Sequence, residues 1–135
     1  MRSSVAVLVY SSNANTRAEV RRAVGSRPAA DLPSITWHEC ATLPAVLQAL
    51  DHHHIDACVL DGEATPAGGM GVCRQIKNEV FRCPPVLLLI ARPQDAWLAG
   101  WCLADHTLTL PVDPLDCAAA LAALLRVRPP RSTEG

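Results

Sequence analysis

Aromatic residues are scarce in this chain, at 4% of 135 residues. The core therefore has to come from Leu, Val, Ile and Ala, which the 50% hydrophobic content can supply. Neither sign of charge is in excess: the formal net charge is −1, with no block of Lys and Arg. That argues against nucleic-acid binding through a broad electrostatic footprint. No CxxC pair occurs among the six cysteines, Cys40, Cys58, Cys73, Cys83, Cys102 and Cys117. They are spread evenly, several fall inside apolar patterns, and they read as small buried residues of a reduced compartment rather than a disulfide frame. Long apolar runs are also missing. Val5–Tyr10 is too short for a signal-peptide core or a membrane span, so a cytoplasmic protein without a membrane segment is expected. Lysine is nearly absent; Lys77 is the only one.

What is present alternates two periods. Val5–Tyr10, Ala57–Asp61 and Val86–Ala91 are continuous apolar runs, as expected of strands buried on both faces. Ile35–Glu39 and Thr107–Leu110 read as shorter strands. Between them lie helical patterns: Thr16–Val24 after a turn of capping residues, a helix capped by Thr42 through Leu50, one opening at Gly68–Gly71 with Met70, Cys73 and Ile76 inward, a fourth starting at Pro93–Asp95, and Leu115–Leu125. Five strands alternating with five helices predict one α/β domain, a doubly wound parallel sheet with helices on both faces. Its expected extent is 1–126, with 127–135 a disordered tail of low apolar content. In such folds a site lies beyond the carboxyl ends of the strands. That directs attention to the segments 11–15, 61–69, 91–92 and 110–112.

Three stretches in this order resemble the response-regulator receiver domain over nearly the whole chain. "DACVLDGEATPAGGMGVCRQIKNE" is similar to the family's third strand, phospho-acceptor aspartate, loop and third helix. "PPVLLLIARPQDAW" resembles its fourth strand and turn, and "LTLPVDPLDCAAALAALL" its fifth strand, proline corner and last helix. Within the family the chain looks like the short, stand-alone receivers of actinobacteria. The resemblance implies a (βα)5 flavodoxin-like sheet in the order 2-1-3-4-5, with helices one and five on one face and two, three and four on the other. It also implies a histidine kinase as phosphoryl donor and Asp61 as the acceptor position.

The rest of the family's chemical set departs from its pattern. Ser11 and Ser12 stand where the family has the acidic pair that holds magnesium, and the first acidic residue in the chain is Glu19. Ile90 stands at the Ser/Thr position, Leu110 at the Lys position and Thr107 at the switch aromatic, while Pro66 comes one residue late. Each lost contact to a transferring phosphoryl group costs roughly 2.7–4 kcal/mol by analogy with an oxyanion donor. The expectation is therefore a degenerate pocket of Ser11, Ser12, Glu63, Ile90 and Leu110, with magnesium weak or absent and no enzymatic activity. The function expected is that of an atypical receiver that signals by protein contact without phosphorylation. The alternative is a phosphorelay receiver that accepts a phosphoryl group at Asp61.

Several single residues admit other readings. Asp61 could instead be held by loop amides or by Arg92. Glu63 could join it as a second, weak metal ligand, although exposure to solvent is the simpler expectation. His52, His53 and His54 cannot all face one ion, and their role is left open. Cys40 with His38 lacks a third, orienting group, and the glycines at 68–71 match no phosphate-loop pattern. The resemblance to receivers implies that Trp97 points inward and Trp101 lies near the surface. With Thr107 they mark the face of helix four, strand five and helix five as the contact for a protein partner or a second copy.

Overall fold

The structure is a computed structural model that describes residues 4–127. Its five strands are β1 (Ser4–Tyr10), β2 (Ser34–Cys40), β3 (Ala57–Asp61), β4 (Val86–Ile90) and β5 (His106–Thr109). All pairings are parallel and the order is β2-β1-β3-β4-β5, as expected. Every residue of β3 and β4 is buried, because both faces of these central strands are covered. The edge strands β2 and β5 are only partly buried, which is why their sequences mix apolar and polar residues.

The helices are α1 (Ala14–Val24), α2 (Leu43–His52), α3 (Gly69–Glu79), α4 (Leu98–Cys102) and α5 (Pro114–Val127). Two separate cores result. Val20 and Val24 of α1 and Cys117, Leu121 and Leu125 of α5 pack on Val5, Val7, Val9, Val59 and Leu87. On the other face, Val46 of α2, Val72, Cys73 and Ile76 of α3 and Cys102 of α4 pack on Leu8, Cys58, Leu60, Leu88 and Ile90. The expected division of helices between faces holds. Among the described residues no helix is long and apolar enough to cross a membrane.

The ends of the elements have local causes. Asn13 caps α1 by accepting the Asn15 N–H, so the helix starts two residues before the expected Thr16. Thr42 caps α2 through the Ala45 N–H at 3.2 Å. The fourth helix is shorter than expected: a 3-10 turn over Pro93–Asp95 precedes an α4 of five residues. Gly100 weakens its interior, and Leu103 ends it in the left-handed region at φ 69. In contrast, α5 runs past the expected Leu125 to Val127. Arg126, the last residue of the expected domain, holds Asp31 with two hydrogen bonds at 2.6 and 3.0 Å, and Val127, expected in the tail, closes the helix. From residue 128 onward the expected tail lies outside the described residues.

Candidate functional site

The strand order reverses between β1 and β3, so the loops after these strands diverge and leave a crevice at the carboxyl end of the sheet. Asp61 is the last residue of β3 and only 4% exposed, and Ser11, directly after β1, is fully buried. Both carboxylate oxygens of Asp61 have protein donors. Ser11 Oγ donates to Oδ2 at 2.7 Å, and the Glu63 N–H donates to Oδ1 at 2.8 Å. Ser11 Oγ in turn accepts the Asn13 N–H at 3.0 Å. Ser12, the neighbouring serine, does not reach the aspartate; its Oγ accepts the Thr65 N–H at 3.0 Å and ties the two loops together.

Two features here went unread in the sequence. The Tyr10 hydroxyl donates to the Ala67 carbonyl, and burial, followed by the nearby Asp61 charge, raises its pKa. Arg17, one turn into α1, donates to the Ser11 carbonyl at 2.6 Å. A polar tip on the last residue of a buried strand was the available signal for the first; the second had none beyond its position.

The glycines explain how the β3–α3 loop closes over Asp61. A Cβ on Gly69 would lie 2.5 Å from the Asp61 carbonyl oxygen and 2.9 Å from the Gly62 nitrogen. One on Gly62 would lie 2.6 Å from the Leu89 carbonyl oxygen. These residues allow backbone to lie against backbone, and Gly71, two positions beyond the contact, has open space.

Around this centre the remaining expected positions are apolar or turned away. Ile90 is buried, and the Leu110 N–H donates to its carbonyl at 2.7 Å, so the two residues extend the β4–β5 ladder. Glu63 contributes its amide, while its side chain is exposed, as the simpler reading expected. Arg92 does not hold Asp61. Asp95, three residues along in the 3-10 turn, takes the guanidinium at 2.9 and 3.1 Å.

No family model matches the chain. A relative in Mycobacterium tuberculosis (strain ATCC 25618 / H37Rv), an uncharacterised response regulatory protein, is 48% identical over 120 residues, covering 89% of this chain and 90% of that one. Its counterpart in strain CDC 1551 / Oshkosh matches to the same extent. The chain belongs to the response-regulator family. Among solved structures, the receiver domain of the Francisella response regulator 1452 matches with a TM-score of 0.76 at 14% identity, over 90% of this chain and 97% of that one. A two-component response regulator from Clostridium difficile gives 0.75 at 16% identity, over 91% and 97%. These likenesses are of fold: the flavodoxin-like fold of a receiver domain.

The donor set of this receiver does not fit the magnesium ion that its family implies. Asp61 is the buried carboxylate at this end of the sheet, both of its oxygens are engaged, and its neighbours Ser11 and Ser12 offer neutral hydroxyls. Among the described residues no group of three or more His, Cys, Asp or Glu is gathered for a metal ion. Magnesium demands octahedral oxygen and gives up its waters reluctantly, so one carboxylate in place of three is a poor exchange.

On the outer surface one expectation fails. Trp97, expected inward, is 71% exposed. It precedes the first turn of α4, and the 3-10 turn ahead of it leaves Cys102 as the buried residue of that helix. Trp101 is half exposed, with its ring under the Arg74 guanidinium at 4.8 Å and its carbonyl accepting from the same arginine of α3. Thr107 is partly buried on β5 opposite Leu88. Leu103 and Leu115 are also exposed. The three histidines part company: His52 Nδ1 meets the Gln48 carbonyl at 3.3 Å, His53 lies against His38, and His54 Nε2 meets Asp56 Oδ1 at 3.0 Å.

Proposed function

We propose that this receiver domain signals through protein–protein contact that does not depend on phosphorylation. The observation that carries the reading is the company of Asp61: neutral donors, Ser11 Oγ and the Glu63 amide, meet the two oxygens that a phosphoryl group and a metal would use. In-line transfer to Asp61 would first break a buried charge-assisted hydrogen bond. It would then proceed without the acidic pair, the Lys or the hydroxyl that the family brings to the phosphoryl oxygens. Each such contact is worth roughly 2.7–4 kcal/mol, and even with non-additive losses little transfer remains. The reading assigns no catalysis to the chain and places it in the cytoplasm. Its partner is a second copy or another protein, met on the face of α4, β5 and α5. Trp97, Trp101, Leu103 and Leu115 are the exposed apolar anchors on or beside that face.

Incubation of the chain with a small phosphodonor and magnesium, followed by intact mass, tests this reading. The expected result is an unmodified chain under conditions that fully phosphorylate an ordinary receiver. A stoichiometric phosphoryl adduct on the wild type, lost in Asp61→Asn, overturns it in favour of phosphorelay at Asp61.

A further inference from the structure

The residues of β2 alternate between the two faces of the sheet. Glu39 turns towards α1 and is held there by Arg17 and Arg21 at 3.0 and 2.5 Å. His38, opposite Leu8 of the α2-side core, turns towards α2. There it meets His53, the residue that ends α2, with ring centroids 4.7 Å apart and planes tilted by 42°. The two rings share an open groove of about 570 Å³ whose wall also includes Cys40, Gln48 and His52. We propose that His38 and His53 bind a borderline divalent transition-metal ion, of which Zn²⁺ is the probe of choice, at the open edge of the sheet.

Imidazole nitrogen suits zinc, copper and nickel, at metal–nitrogen distances of about 2.0–2.1 Å. Two rings with centroids 4.7 Å apart, one on a strand and one at a helix end, are close enough for a nitrogen of each to reach one ion. Burial, followed by the neighbouring His53, lowers the pKa of His38, which favours the neutral ring that a metal requires. Cys40 and His52 line the same groove, but among the described residues no group of three or more His, Cys, Asp or Glu is placed to hold one ion, so water completes the coordination. The ion would join the end of α2 to the edge strand. This site is independent of the function proposed above.

The test uses the full chain without an affinity tag, kept reduced. Zinc chloride is titrated while the histidine ring resonances and the heat of binding are followed. One ion per chain is expected, with His38 and His53 shifting together and His54 unmoved. His38→Gln and His53→Ala should each weaken binding by more than about tenfold, the smaller loss typical of second-shell changes. His54→Ala should bind as the wild type does. Melting curves in the absence of zinc verify that each variant folds, and the wild-type ring shifts need no variant. Binding that leaves the His38 and His53 rings unshifted, affinity unchanged in both variants, or no saturable binding overturns the proposal.

Discussion

Ser11→Ala removes one oxygen atom, and the structure sets what that should cost. The lost Oγ donates to Asp61 Oδ2 at 2.7 Å and accepts the Asn13 N–H at 3.0 Å. The second bond is near the surface, where water can replace it cheaply. The first is buried at both ends, with Ser11 at 0% and Asp61 at 4% exposure. A hydrogen bond to a charged group contributes about 1.5–3 kcal/mol, and a buried oxygen left without a partner costs at the upper end of that range. A loss of about 2.5 kcal/mol is therefore expected, roughly a sixtyfold drop in the folded-to-unfolded ratio. Urea unfolding measures it: the midpoint should fall while the slope stays constant, because the buried area does not change. The double variant with Asp61→Ala should lose less than the two single losses together, by at least about 1 kcal/mol. A Ser11→Ala loss below about 0.5 kcal/mol, or strict additivity with Asp61→Ala, would refute the view that Ser11 has taken over the partner role at Asp61.

The two glycines of α3 should respond with opposite signs. Gly69→Ala should cost about 1–3 kcal/mol, because its Cβ meets backbone at 2.5 Å, whereas Gly71→Ala, in open space, should gain about 0.5–1 kcal/mol; equal effects in thermal melts would contradict the tight loop closure. Alkylation of the native protein at pH 8 should reach Cys83 first, since it is partly exposed, while burial raises the thiol pKa of Cys40 and Cys117 to about 11. Peptide mapping that finds Cys117 labelled as fast as Cys83 would count against the packing of α5. In sedimentation across a concentration series, Trp97→Ala and Trp101→Ala should shift any association towards monomer by roughly 2 kcal/mol or more where the ring is an anchor, and Asp61→Asn should leave it unchanged. A large effect of Asp61→Asn would mean that the aspartate still communicates with that face.

Strands were legible where burial is two-sided. Val5–Tyr10, Ala57–Asp61 and Val86–Ile90 declare themselves because a central parallel strand needs no polar face. The loss of the acidic pair was legible too, since no acidic residue precedes Glu19 and no shift of register could supply one. What Ser11 does instead was not legible: its bond to Asp61 joins residues fifty positions apart, and only the crevice between β1 and β3 brings them together. Arg92 was misjudged for the opposite reason. A local partner, Asp95, lies closer along the chain than the charge it was expected to serve. The inward placing of Trp97 followed the receiver pattern, and here a 3-10 turn over Pro93–Asp95 changes the phase of the side chains after it.

A ligand shifts a conformational equilibrium only if it binds one state better than the other. In the receiver family that preference is implied by a Ser/Thr and a Lys at the ends of the fourth and fifth strands. Here those ends carry Ile90, buried, and Leu110, whose amide is bonded to the Ile90 carbonyl. Neither side chain has a donor to offer a phosphoryl oxygen, and Thr107 lacks the aromatic ring that would carry a change to the surface. On the proposed reading, even a phosphoryl group forced onto Asp61 would find no differential contact with which to move α4. The face carrying Trp97 and Trp101 would then hold one conformation, and its output would be set by how much protein is present. Restoring the relay should accordingly need several changes at once, at positions 11, 12, 90 and 110. At the buried positions 11 and 90 a single change would add a charge or hydroxyl without its partners, and its first effect would be lost stability.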